Sequence, residues 1–149
     1  MFKPSLFVIF ALVTAMCSAG CKTSHIRMYD GVARQKTEVA MIKTENTRIG
    51  IQSVDGKETI GPFEGFLYTD QWIGGANFAR SVEVTPGQHE LQISYRYDRS
   101  VSNPKYWLPA MSGHSYTIKY KVLGYRISIW FEDDETGAHV GYGENGNEP

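Results

Sequence analysis

Hydrophobic and polar side chains alternate one by one over much of the second half of the chain. In "ELQISYRY", Leu91, Ile93, Tyr95 and Tyr97 fall on one side, and Glu90, Gln92, Ser94 and Arg96 on the other. The run "YTIKYKV" repeats the pattern, with Tyr116, Ile118, Tyr120 and Val122 set against Thr117, Lys119 and Lys121. A third run sets Ile127, Ile129 and Phe131 against Ser128, Trp130 and Glu132. A period of two is the mark of a strand with one face buried. Shorter segments of strand composition precede these runs: "EVAMI" (38–42), "RIGIQSV" (48–54), "FEGFLYT" (63–69) and "FARSVEV" (78–84). "AHVGY" supplies a short final strand.

Turn signals separate the runs. Asp55-Gly56 favours a two-residue turn with positive backbone angles, a strong hairpin signal. In Thr85-Pro86-Gly87-Gln88, Pro86 presets its own φ and Gly87 accepts the positive φ of a type II turn. "DDETG" (133–137) reads as a further turn. The longest gap between clear strands, "DRSVSNPKYWLPAMSG" (98–113), holds two prolines and reads as a long aromatic connection. No segment of useful length has helical periodicity. Short strands at turn spacing predict an all-β fold, an antiparallel β-sandwich of about seven or eight strands. The predicted sandwich covers 37–142, and the polar tail 143–149 is expected to be disordered.

The N-terminus departs from this pattern. "MFKPSLFVIFALVTAM" has one charge, Lys3, then an apolar run from Leu6 to Met16 broken only by Thr14. Small residues Ser18, Ala19 and Gly20 follow. A positive start, a short apolar centre and a small-residue end are the parts of a secretory signal peptide, 1–20. The apolar run falls short of the roughly 20 residues needed to span a bilayer. Both cysteines, Cys17 and Cys21, lie here. A zinc site would need further ligands at Cys or His spacing, and a redox pair needs two intervening residues rather than three.

The stretch "SAGC" (18–21) resembles the bacterial lipobox, in which small residues precede an invariant cysteine. Ser18 stands where that pattern more often has Leu. The resemblance implies a diacylglycerol thioether on Cys21, cleavage after Gly20 and acylation of the new terminus. Cys17 would leave with the signal. Residues 21–36 are then the lipidated cysteine and a tether, flexible at first and partly packed later. By resemblance to enterobacterial sorting rules, Lys22 directs the protein to the inner leaflet of the outer membrane, facing the periplasm.

A second resemblance spans most of the rest. "VEVTPGQHELQISYRY" is similar to the PEGA-type motif of bacterial extracytoplasmic β-sandwiches. "MYDGVARQKTEVAMI", "VDGK", "SGHSYTIKYKV" and "WFEDDETGAHVG" follow the order seen in small bacterial lipoproteins. This resemblance implies a fold and carries no catalytic residues with it.

Charge narrows the classes of partner. The full chain has 15 Lys and Arg against 16 Asp and Glu, so loss of Lys3 with the signal leaves 14 against 16. A net charge near −2 lacks the basic surplus expected of a nucleic-acid binder. The candidate chemistry is sparse. His25, His89, His114 and His139 are scattered, and none lies at metal-ligand spacing to another. "GYGENG" (141–146) spells G-x-G-x-x-G without the strand and helix that a dinucleotide site needs. The acidic run Glu132-Asp133-Asp134-Glu135 lacks a calcium-loop pattern and reads as a solvated turn. No catalytic residue, metal site or cofactor is assigned.

The aromatics carry more. Trp72 in "TDQWIGGANF", and Tyr106 and Trp107 in "NPKYWLP", fall in expected loops and form the candidate interaction surface, since such rings are enriched at binding hot spots. The expectation is a non-enzymatic, lipid-anchored interaction or accessory module of the bacterial envelope, with envelope proteins or glycan as its partners. One alternative is a glycan (peptidoglycan) binder using these aromatics. Another is a small hydrolase whose site assembles only in the fold.

Overall fold

Alternating segments become strands because each buries one face against a second sheet. The computed structural model describes residues 26–59, 78–97 and 100–143. The signal segment, Cys17, Cys21, His25, the segment 63–69 and Trp72 lie outside them. In chain order the described strands are β1 (Ile26–Arg27), β2 (Ala40–Thr44), β3 (Ile49–Val54), β4 (Lys57–Glu58), β5 (Ser81–Val84) and β6 (Gly87–Tyr97). They continue with β7 (Ser100–Ser102), β8 (Lys105–Ala110), β9 (Ser115–Leu123), β10 (Arg126–Asp133), β11 (His139–Val140) and β12 (Tyr142–Gly143). Seven of these have four residues or more, which is the all-β sandwich the alternation predicts. Among the described residues the helical content is one 3-10 turn, Lys36–Glu38.

Two sheets face each other. The first runs β1-β5-β2-β9-β10-β11 and the second β12-β8-β6-β3-β4, with β7 also on β6. Most pairs are antiparallel, but β1–β5 and β2–β9 are parallel. The core lies between the sheets. Ile42, Tyr116, Ile118 and Phe131 from one side meet Ile51, Leu91, Ile93 and Leu108 from the other, all with no exposed surface.

Local detail follows the chemistry of the turns. Asp55 and Gly56 have φ of 51° and 77° and join β3 to β4 as a two-residue turn. Both angles are positive, as the type I′ hairpin requires. In β3 the register to β6 shifts between Ile51 and Ser53. Gln52 is the extra residue of a β-bulge, so Val54 rather than Ser53 follows Ile49 and Ile51 into the core.

Thr85-Pro86 does not close a hairpin. β5 belongs to the first sheet and β6 to the second, so Pro86 and Gly87 form a corner between the layers. Gly87 has the expected positive φ, at 141°. The connection 98–113 is also different from expectation, because 100–102 and 105–110 are strands. Pro109 is tolerated in β8 because β12 pairs only with Trp107 and Tyr106. The remainder of β8 is a free edge on that side, where no N–H is needed. Ile26–Arg27, within the expected tether, adds a strand to the edge of the first sheet.

Candidate ligand-binding face

The strand assignment of 105–110 decides where its aromatics point. Successive side chains of a strand take opposite faces. Tyr106 therefore turns inward with Leu108 and Ala110, and its ring meets Phe131 edge-on with centroids 5.8 Å apart. Burial raises the pKa of its phenol. Tyr106 is thus not part of an outer surface, contrary to the loop expectation, because a strand sends neighbouring residues to opposite sides. Trp107 does face out.

On the outer face of the second sheet, Trp107 gains a partner from far along the chain. Tyr142 of β12 lies opposite it. The two rings stack at 5.6 Å with 15° between their planes. Gly141 makes this approach feasible. It has φ of 77°, and a Cβ there would lie 2.6 Å from the carbonyl oxygen of Trp107. Only glycine combines that angle with that proximity.

Polar groups surround the pair. Gln88 Nε2 donates to Tyr142 Oη at 2.7 Å. Glu90 sits opposite Trp107 across the β6–β8 ladder, and Lys105 opposite Gln92. Lys105 Nζ is 2.8 Å from Glu90 Oε1, with the two side chains 43 % and 36 % open to solvent. The result is one outward surface with two near-parallel rings, an amide, a carboxylate and an ammonium. Rings can cover the C–H faces of a sugar, and the polar groups can donate to and accept from its hydroxyls.

The histidines are held elsewhere. His89 lies in the corner made by Pro86 and the Asp55-Gly56 turn. Its Nδ1 is 2.6 Å from Asp55 Oδ2 and its Nε2 is 2.7 Å from the Thr85 carbonyl oxygen. Both partners are oxygens that accept hydrogen bonds, so the ring is held between a carboxylate and a backbone carbonyl. Asp55 Oδ1 also accepts from the Glu90 N–H at 2.8 Å. The corner is a clamp, with neither ring nitrogen open to a substrate.

His114 Nδ1 is 2.7 Å from Asp133 Oδ2, while its Nε2 is 3.9 Å from Glu135. Among the described residues no hydroxyl or thiol is hydrogen-bonded to His114 Nε2, as nucleophilic catalysis would need. His139 rests on Trp130, centroids 5.4 Å apart. The acidic run is dispersed: Glu132 pairs with Lys119, Asp133 with His114, and Asp134 with Lys43. Among the described residues no group of three or more His, Cys, Asp or Glu is placed to hold a metal.

Tyr142, Gln88, Glu90 and Lys105 were not legible as site residues. Their period-two spacing shows that Gln88 and Glu90 share a face, but nothing local ties Tyr142 to Trp107. Comparisons with protein-family models, curated proteins and solved structures give no match.

Proposed function

We propose that the chain is a bacterial envelope lipoprotein, anchored through acylated Cys21, whose sandwich works without catalysis as a binding module for an envelope saccharide. The supporting observation is the outward-facing Trp107–Tyr142 ring pair with Gln88, Glu90 and Lys105 around it. Flat sugar faces stack on such rings, and the ordered polar rim favours a hydroxyl-rich ligand over an apolar one. Peptidoglycan is the saccharide within reach of a protein tethered to the inner leaflet of the outer membrane, the location that Lys22 favours.

The test is retention of the full lipidated chain on purified cell-wall sacculi. The wild-type chain is retained, and Trp107→Ala and Tyr142→Ala each weaken binding by about tenfold or more, as for a central aromatic hot spot. No retention, or retention unchanged by Trp107→Ala, overturns the saccharide reading in favour of an envelope-protein partner. The anchor has its own test in mass spectrometry of the mature chain. An unmodified Cys21, or a retained Cys17, overturns it.

A further inference from the structure

The two ends of the sandwich differ. At one end lie the Asp55-Gly56 turn, the corner at Pro86 and the 133–137 turn, with exposed Asp55, Glu58, Asp134 and Glu135 against Lys36 and Lys57. At the other end lie the start of β3, the start of β5 and the tip of the β9–β10 hairpin. There the described charged groups include Arg48, Arg80, Lys121 and Arg126, all exposed, against Glu45. A chain with a net charge of −1 thus carries a basic end and an acidic end.

The hairpin tip at the basic end is apolar. β9 and β10 pair out to Leu123 and Arg126, joined by Gly124-Tyr125. β2 leaves β9 at Ile118, so the distal part of the hairpin stands beyond its neighbour. Val122 is 41 % exposed, Leu123 55 % and Tyr125 fully. Such side chains at the apex of a two-residue turn gain nothing from the fold. Tyr belongs at the membrane–water boundary, and flanking Lys and Arg favour anionic headgroups.

β1 is parallel to β5, and β5 runs from the basic end to the acidic end, so Ile26, the first described residue, is the end of β1 that faces the basic end. Laterally, Ile26 is level with Val82, Ile42 and Tyr116. From Tyr116 to Leu123 is seven residues, or about 23 Å at 3.3 Å per residue. From Cys21 to Ile26 is five residues, which reach at most about 18 Å. The tip therefore projects about 5 Å further than the fully extended tether can reach. That is comparable to the headgroup layer, about 5–7 Å on each side of the hydrocarbon core.

We infer that the β9–β10 tip, Val122–Arg126, seats in the lipid headgroup layer beside the anchor and orients the sandwich on the bilayer. This rests on the reading of Cys21 as lipidated. The test uses the full lipidated chain in vesicles of phosphatidylethanolamine with a minor share of phosphatidylglycerol. Acylated Cys21 offers no free thiol, so Tyr125→Cys carries an environment-sensitive fluorophore alone. Val32→Cys is the control: it is 86 % exposed, in the segment near Asp30, which pairs with Lys57 at the acidic end.

The expected result is a blue-shifted Tyr125→Cys probe, quenched by headgroup-level spin-labelled lipid several-fold more than the Val32→Cys probe. If the chain floats with the vesicles but both probes are equally open to an aqueous quencher, the membrane contact is overturned and the anchor stands. If the chain does not float with the vesicles, the anchor reading fails and the contact with it.

Discussion

Asp133 is 1 % exposed, yet its pKa lies below the usual carboxylate value. Burial alone would raise its pKa. The hydrogen bond from His114, the N–H groups of Glu135 and Thr136, and the charge of His114 outweigh burial and lower it. A group whose pKa is lowered by folding stabilises the fold at pH above its unfolded value, about 3.9, and that stability is lost as pH falls through the native value. Thermal melts should therefore show an acid limb below about pH 4. Asp133→Asn should flatten that limb by losing, near neutrality, the stability that the ionised carboxylate supplies, while its amide oxygen still accepts from Glu135 and Thr136. Asp133→Ala removes every partner and should cost about 2–3 kcal/mol, read from denaturant midpoints. Gly141→Ala belongs to the same scale. Its Cβ would strike the Trp107 carbonyl at a strained φ, costing at least about 2 kcal/mol, and should displace Tyr142 from Trp107. A change in tryptophan fluorescence would report the second effect.

At the level of elements, the strap β11–Gly141–β12 leaves the first sheet and joins the second. It closes the sandwich along the β10 and β8 edges. Phe131 lies beneath it, pairing with Val140 and touching Tyr106 and the position of Gly141. Phe131→Ala should cost about 3–5 kcal/mol by equilibrium unfolding and release the strap.

The strands of β6, β9 and β10 were legible because their alternation is uninterrupted. The Asp55-Gly56 turn was legible because its chemistry is local. Strand β8 was not, because Pro104 and Pro109 read as breakers, and the tolerance of Pro109 depends on how short β12 is. The corner at Pro86 was legible as a bend but not as a change of sheet, because layer assignment depends on pairings far away in sequence. The same distance hid the binding face. Trp107 stood out by composition, while Tyr142 becomes its partner only through the strap.

For the whole molecule, the two sheets differ in how their strands are held. β6 pairs with β3, β7 and β8, and β9 lies between β2 and β10. Native-state hydrogen exchange should find its slowest amides in β6 and β9 and its fastest in β1, β4, β7 and β12. Comparable protection in β1 would contradict this ordering. β1 has a mechanical consequence. It and the residues after it are held to β5 by two paired residues, by the Met28 N–H, which donates to the Glu83 carbonyl at 2.9 Å, and by the Tyr29 hydroxyl, which donates to Glu83 Oε2 at 3.0 Å. A load applied at residue 21 and directed away from the basic end pulls along the strand axis, so these bonds are strained together in shear. Once they part, residues 26–35 join the leash, adding about 33 Å of contour before the 3-10 turn at Lys36 takes the load. The first sheet keeps β5 and its core side chains when this happens. The domain therefore has a slack-release latch: a shorter leash at rest and a longer one under tension, visible as a small early extension in single-molecule pulling.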